Sequence, residues 1–137
     1  MRTLHKHDLR FHKKSTDGSG KCDAFETENP ANTVIGCLFK ISATEKAALD
    51  KAEGLGFGYQ EKEVILVDES GVPVRAMTYY AILVDESLTP YSWYLQHVVV
   101  GAKESNLPSV YVSHLESIQS IEDANHERDR RERAIYA

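Results

Sequence analysis

Polar and apolar residues alternate along the first part of the chain. Residues 4–12 follow a period of two, which predicts a strand. Residues 21–27 predict a second strand, joined to the first by a turn rich in Gly, Ser and Asp. A nearly continuous apolar run at 33–41 predicts a third strand in the centre of a sheet.

The pattern changes at Ser42, where a helix is predicted to begin. Ser42 can cap the helix start while Glu45 reaches back to the chain, which is the arrangement of a capping box. Apolar residues then recur at helical spacing up to about Glu53. We expect the helix to stop at Gly54, because glycine commonly follows the last helical residue.

The second half of the chain predicts a hairpin followed by helices. Residues 59–67 and 72–83 are alternating segments on either side of a tight turn, so they predict two paired strands. One helix is predicted to open at Thr89-Pro90 and another at Leu107-Pro108. The end, 122–133, alternates in charge without an apolar stripe, which indicates a solvated helix or a frayed tail.

This order of elements predicts the α+β fold class. Strands, a helix, a hairpin and more helices favour a small, strongly bent antiparallel or mixed sheet, or a barrel, packed with helices. We expect a single domain over 1–121 and a charged C-terminal helix or tail over 122–137.

Composition narrows the possible partners and location. The chain has 137 residues with 42% hydrophobic content, enough for one core. Its net charge of −5 argues against nucleic acid as the main partner. No apolar run approaches the roughly 18 residues that span a bilayer, and no signal peptide is recognisable, so we expect a cytoplasmic protein without a membrane partner. Cys22 and Cys37 do not make a disulfide framework; each is expected to be buried in a strand.

Basic residues concentrate near the N-terminus, where one acid, Asp8, accompanies five of them. A basic edge beside a binding site would attract a small anionic substrate. Lysines also protect exposed strand edges from pairing with other chains, and the sequence leaves both interpretations open. The five residues are Arg2, Lys6, Arg10, Lys13 and Lys14.

Glu53 is the residue whose position most suggests chemistry. A carboxylate at a helix C-terminus is disfavoured by about 0.3–1 kcal/mol because it meets the negative end of the helix dipole. Asp50 lies on the same helix face and is expected to repel Glu53 further. Both effects favour the protonated carboxyl group, which suits a residue that transfers protons.

Other kinds of site are less favoured by the sequence. His5 and His7 fall on one face of the first predicted strand, but no third residue completes a metal site with convincing spacing. Gly18-Ser19-Gly20 lies between two strands rather than before a helix, so it does not predict a phosphate-binding loop. No metal and no cofactor is predicted.

Two stretches of the chain resemble the gamma-glutamylcyclotransferase family. Residues 34–41 followed by 49–54 look like the central strand and the next helix of that family. Residues 90–94 and the stretch 101–108, which reads Gly-Ala-Lys-Glu-Ser-Asn-Leu-Pro, are similar to it in the same order and separation. The resemblance covers about residues 4 to 120.

The resemblance implies an enzyme that acts on a small γ-glutamyl substrate, a γ-glutamyl amine or a γ-glutamyl amino acid. The substrate's α-amine would attack its own γ-carbonyl, close a lactam and expel an amine, giving 5-oxoproline without a cofactor. By resemblance, Glu53 is the general acid/base, and Tyr59 and Tyr94 line the pocket and hydrogen-bond the substrate.

The chain departs from the family at its start. The family begins with a strand ending in a Tyr-Gly-Ser-Asn-type loop, whose backbone N–H groups hold the substrate carboxylate. The first residues of this chain already match the family's second strand, so the loop is either encoded upstream or lost. If it is lost, the chain is expected to be a binding module or an enzyme for a different amine. Two alternatives to an enzyme stay open: a non-catalytic domain of the same fold that binds a small molecule or a protein, and a structural or interaction protein acting through its acidic surface and tail. An absent strand would also leave an open sheet edge, which predicts a homodimer.

Overall fold

Six strands and four helices make up the part of the chain described by a computed structural model, residues 1–53 and 55–136. A short 3₁₀ turn, Ala134–Tyr136, follows the last helix. The strands are β1 Arg2–His5, β2 His7–Lys14, β3 Gly20–Glu26, β4 Thr33–Gly36, β5 Tyr59–Val67 and β6 Pro73–Ala81, and the helices are α1 Ala43–Glu53, α2 Ser92–Glu104, α3 Ser109–Glu116 and α4 His126–Arg133.

The strands form two antiparallel sheets. The larger has the order β4-β1-β5-β6, and the smaller pairs β2 with β3. β5 and β6 form the predicted hairpin, in register from Tyr59 opposite Ala81 to Val67 opposite Pro73. Helices lie beside these sheets, so the predicted α+β class is confirmed.

The first predicted strand is in fact two strands. Lys6 has a φ of 60°, which interrupts the extended backbone and directs β1 and β2 into different sheets. The turn is held by a bond from the Lys6 amide to the Asn32 carbonyl, 2.9 Å, and by one from the Thr27 amide to the Lys6 carbonyl, 2.8 Å. His5 is exposed and His7 is buried, so the two histidines do not share a face as predicted.

A β-bulge interrupts the pairing of β2 with β3. Arg10 faces Asp23 and Lys13 faces Lys21, so β2 uses one residue more than β3 over this interval. Bulges bend a strand and change where its side chains point. Gly20 lets β3 pass close to the bulge, since a Cβ there would lie 2.1 Å from the backbone oxygen of Phe11.

Helix α1 begins and ends as predicted but rests lightly on the sheet. The Glu45 amide donates to the Ser42 hydroxyl, 3.1 Å, which confirms the cap, and Glu53 is the last helical residue. The predicted stop at Gly54 lies outside the described residues. No residue of α1 is buried. Polar contacts attach it instead: Lys46 pairs with Glu61 of β5 at 2.5 Å, and the Tyr79 hydroxyl of β6 donates to Asp50.

Strand β4 ends at Gly36 rather than Ile41, and it lies at the edge of the larger sheet rather than in its centre, where it was predicted. Within the described residues, the segment 37–41 has no strand partner. Its apolar side chains are exposed, Phe39 at 77%. Cys37 is exposed as well, contrary to the prediction that it is buried in a strand. This segment lines one side of a groove of about 820 Å³ between α1 and the larger sheet.

Helices α2 and α3 pack together through Ala102, Val112 and Leu115, which form a buried cluster. α2 starts two residues later than the predicted opening at Pro90, with Tyr91 as an N-cap that makes no side-chain capping bond. The backbone there is held instead by the bond from the Ser92 amide to the Ile121 carbonyl, 2.8 Å.

Asp123 anchors the C-terminal segment to α2. Its carboxylate is 1% exposed and accepts a hydrogen bond from the Trp93 indole N–H at 2.9 Å. Arg128 of α4 binds the same carboxylate in a bidentate pair and holds the pKa of Asp123 well below its usual range, which offsets the effect of burial.

The division of the chain into a domain over 1–121 and a tail over 122–137 stays a prediction. In the described residues, no helix has the length and apolar character needed to cross a membrane.

Candidate active site

Glu53 lies at the end of α1, close to β3 and to the start of β5. Burial raises the pKa of the Cys22 thiol, and the negative charge of Glu53 raises it further. Burial and the neighbouring Cys22 raise the pKa of Tyr59, and Glu53 adds to this shift. Glu53 thus acts electrostatically on Cys22 and Tyr59, and we refer to these three residues together with Tyr94 as the cluster.

Backbone bonds connect the end of α1 to β5. The Leu55 amide donates to the Asp50 carbonyl at 2.9 Å, and the Gly56 amide donates to the Tyr59 carbonyl at 2.7 Å. Gly56 has a φ of +88°, a conformation that L side chains rarely adopt. Residues 55–58 thereby form a tight loop that returns the chain to the cluster at Tyr59.

Tyr59 and Tyr94 are both hydrogen-bonded to Cys22. The Tyr59 hydroxyl donates to the Cys22 carbonyl at 2.8 Å. The Tyr94 hydroxyl donates to Cys22 Sγ at 3.0 Å and accepts from the Cys22 amide at 3.1 Å. Burial raises the pKa of both phenols, so both stay neutral at pH 7. Since each O–H is already used, these oxygens can accept hydrogen bonds from a ligand but not donate to it.

Asp50 does not act as the free charge assumed from the sequence. Lys46 donates to its carboxylate and lowers its pKa, and the Tyr79 hydroxyl donates to the same oxygen. The charge of Asp50 is therefore compensated within α1 and β6. Of the two features expected to act on Glu53, only its place at the helix end remains, and the residue is half-buried.

A second buried pair lies beside the cluster and was not found from the sequence. His12 Nε2 and Asp23 Oδ2 are 2.7 Å apart, and both residues are 4% exposed. The other oxygen of Asp23 accepts from the Ala81 amide at 2.8 Å, which ties β3 to β6. Because Asp23 follows Cys22 directly, this pair fixes the strand that holds both tyrosines. His12 and Asp23 are eleven positions apart, so no local sequence pattern indicates that they are in contact.

Lys21 lies under the aromatic side of the cluster. Its ammonium is 4.5 Å from the ring centroid of Tyr94 and 4.7 Å from that of Trp93. Asp17 holds this cation at 2.9 Å and Ser19 holds it at 3.2 Å. Burial raises the pKa of Asp17, but the hydrogen bonds from Ser19 and Lys21 outweigh it and lower the pKa to about 2.

Asp17→Asn is expected to lower the free energy of unfolding by about 1 kcal/mol at pH 7, given partial solvent screening. Because the pKa of Asp17 is lowered in the folded state, its carboxylate stabilises the fold fully at pH values above 3.8, the pKa of the unfolded chain. This contribution is lost as the pH falls toward about 2. Urea unfolding at pH 7 and pH 2 tests it, with the exposed Glu28→Gln as control. An equal loss in Asp17→Asn at both pH values would contradict the assignment.

The two histidines considered as metal ligands are placed differently, since His5 is exposed and His7 is buried. Within residues 1–53 and 55–136, no group of three or more His, Cys, Asp or Glu side chains is placed to hold a metal ion. His7 Nε2 instead lies 2.9 Å from the ammonium of Lys62, which also pairs with Glu26.

The family match includes Glu53, Tyr59 and Tyr94 and begins after Cys22. The sequence pattern of the AIG2-like family matches residues 33–115. The chain is 32% identical over 93 residues to the gamma-glutamylcyclotransferase of Bos taurus, covering 67% of this chain and 49% of that protein. It is 29% identical over 93 residues to the gamma-glutamylcyclotransferase of Homo sapiens, with the same coverage. The chain thus spans about half the length of the curated relatives it matches.

Solved structures share the fold at low sequence identity. A structure described as gamma-glutamyl cyclotransferase superposes with a TM-score of 0.80 and 21% identity, covering 95% of this chain and 82% of that one. An uncharacterised protein from Homo sapiens gives a TM-score of 0.79 and 22% identity, covering 94% of this chain and 82% of that one. These likenesses concern the fold.

Proposed function

Because the chain belongs to the AIG2-like, gamma-glutamylcyclotransferase-like family, we propose that it is an enzyme that cyclises a γ-glutamyl amine or γ-glutamyl amino acid to 5-oxoproline. The observation that carries the proposal is the cluster of Glu53 with Tyr59 and Tyr94 around Cys22. It supplies one carboxylate for proton transfer and two oxygens able to accept hydrogen bonds.

The proposed reaction moves two protons and exchanges one C–N bond for another. Glu53 takes a proton from the substrate's α-ammonium, and the freed amine attacks the γ-carbonyl carbon. The new C–N bond closes a five-membered ring, and the bond to the leaving amine breaks. Glu53 returns its proton to that nitrogen, then takes a second proton from the ring nitrogen and passes it to the released amine. Nucleophile and electrophile belong to one molecule, so the protein mainly has to fold the substrate and shuttle a proton.

The two tyrosines serve this reaction as acceptors. An ammonium group carries only donors, and the free lone pairs of Tyr59 and Tyr94 match it. The Cys22 backbone fixes Tyr59 through its carbonyl and Tyr94 through its amide. Side chains held in this way lose little entropy when a substrate binds.

Release of 5-oxoproline from a γ-glutamyl dipeptide tests the proposal, with the purified full chain and chromatographic detection of both products. We expect one 5-oxoproline for each amino acid released. The N-acetylated dipeptide, whose nucleophile is blocked, should give none, and neither should the α-glutamyl isomer. Binding of the dipeptide without any release would contradict the proposal and favour a ligand-binding domain of the same fold.

A further inference from the structure

Lys13 points its ammonium at the ring of Tyr59. Its Nζ lies 4.9 Å from the ring centroid, and the residue is partly buried. The end of the same side chain rests on the loop before β5, since a Cβ built on Gly58 would lie 2.9 Å from both Cε and Nζ of Lys13. The ammonium is thus held beside the residue that also neighbours Glu53.

The backbone fixes this position. Lys13 comes directly after the bulge in β2, where the strand changes the direction of its side chains. Beyond the bulge, Lys13 forms a bridge with Val84, and the Lys14 amide donates to the Leu83 carbonyl at 2.8 Å. The end of β2 is therefore tied to the segment that follows β6.

Lys13 differs from Arg10 and Lys21 of the small sheet in having no acidic partner. Arg10 pairs with Asp8 at 3.1 Å, and Lys21 pairs with Asp17 at 2.9 Å. No carboxylate in the described residues lies within 4.0 Å of Lys13 Nζ. A partly buried cation that faces only an aromatic ring retains donors for an anionic ligand.

We propose that Lys13 binds the α-carboxylate of the substrate, an inference that rests on the proposed function. A γ-glutamyl group carries an ammonium and a carboxylate on one carbon. Glu53 and the acceptor oxygens of Tyr59 and Tyr94 suit the ammonium, but Glu53 repels the carboxylate. Lys13 is the cation placed against Tyr59 that compensates this repulsion and orients the substrate. The basic edge found in the sequence then has a binding role at this one residue.

The first test compares two lactams by NMR titration at pH 7, so that it needs no turnover. 5-Oxoproline carries the carboxylate, and 2-pyrrolidinone is the same ring without it. We expect Lys13→Met to weaken 5-oxoproline binding by roughly 10- to 100-fold, the range typical of a hydrogen bond between charged groups. Binding of 2-pyrrolidinone should not change. Lys14→Met removes an exposed charge from the adjacent position and should bind both lactams as the wild type does.

A second variant moves the ammonium without removing it. Gly58→Ala places a methyl group where the end of the Lys13 side chain lies, and a flexible side-chain end is able to shift at little cost to folding. We expect weaker 5-oxoproline binding with an unchanged urea midpoint. Lys13→Arg should retain part of the affinity, because it keeps the charge.

The outcomes separate this inference from the proposed function. If Lys13→Met binds 5-oxoproline as tightly as the wild type does, the proposed role of Lys13 is overturned. This holds even if the wild type releases 5-oxoproline from a γ-glutamyl dipeptide. The opposite outcome is a wild type that releases no 5-oxoproline but binds 5-oxoproline more tightly than 2-pyrrolidinone, with this preference lost in Lys13→Met. It overturns the proposed reaction and supports the carboxylate site.

Discussion

Glu53→Gln is expected to reduce 5-oxoproline release by roughly 10²- to 10⁴-fold, the contribution typical of a general acid or base. The amide keeps the size of the side chain and its place at the end of α1, but it cannot take up the ammonium proton. The Tyr59 and Tyr94 hydroxyls bond to Cys22 rather than to Glu53, so their positions should not change. Steady-state kinetics with a γ-glutamyl dipeptide measures the effect, which should fall on kcat rather than on KM.

Glu45→Gln is the matched control for Glu53→Gln. It makes the same change in the first turn of the same helix, at an exposed position remote from the tyrosines. It should leave kcat unchanged. Activity in Glu53→Gln within a few-fold of the wild type would remove Glu53 from the proton transfer and leave the fold and the family as they are.

Asp23→Ala is expected to lower the free energy of unfolding by about 3–5 kcal/mol, as when one partner of a buried polar pair is removed. The change leaves His12 Nε2 and the Ala81 amide without their acceptor in a region that water scarcely reaches. It also releases the strand that carries Cys22, so both tyrosines should lose their alignment. Urea unfolding measures the stability, and the near-ultraviolet circular dichroism of the tyrosines reports the alignment.

Glu26→Ala serves as the control for Asp23→Ala. Glu26 ends the same strand but is exposed, and its partner Lys62 also contacts His7. Removing it should shift the urea midpoint only slightly, because exposed ion pairs contribute little. If the two variants unfold at the same urea concentration, the His12–Asp23 pair is not the anchor described above.

Elements with a strong local pattern could be predicted from the sequence. The hairpin strand at 59–67 was confirmed with its bounds, since alternation and a tight turn together determine its register. The start and the last residue of α1 followed from Ser42 and from the end of the apolar spacing. These features depend on neighbours within a few positions along the chain.

Features that depend on distant partners could not be predicted in this way. The break at Lys6 occurs inside a clean alternating pattern, because its amide and carbonyl bond to the distant Asn32 and Thr27. β4 stops at Gly36 although its apolar run continues, because a strand needs a neighbour to pair with. α2 begins after Tyr91 since the Ile121 carbonyl accepts from the Ser92 amide there.

The candidate site shows the same division. Family resemblance indicated Glu53, Tyr59 and Tyr94, and the structure joins both tyrosines to Cys22, on which the charge of Glu53 acts. No local pattern indicates that the tyrosine hydroxyls donate within the protein, because their acceptors belong to Cys22 of β3. Lys13 was visible only as one of five basic residues near the N-terminus. Its contact with Tyr59 depends on the bulge in β2, which changes the strand register.

The light attachment of α1 sets a thermal limit on the proposed activity. The helix buries none of its residues and is held to β5 and β6 mainly by Lys46 with Glu61 and by Tyr79 with Asp50. A segment of this kind opens locally at a smaller free-energy cost than the whole domain. Each opening would carry Glu53 away from the tyrosines while both sheets stay folded. Heating would therefore inactivate the proposed enzyme below the melting temperature of the domain. Cooling would restore the activity without any refolding of the core.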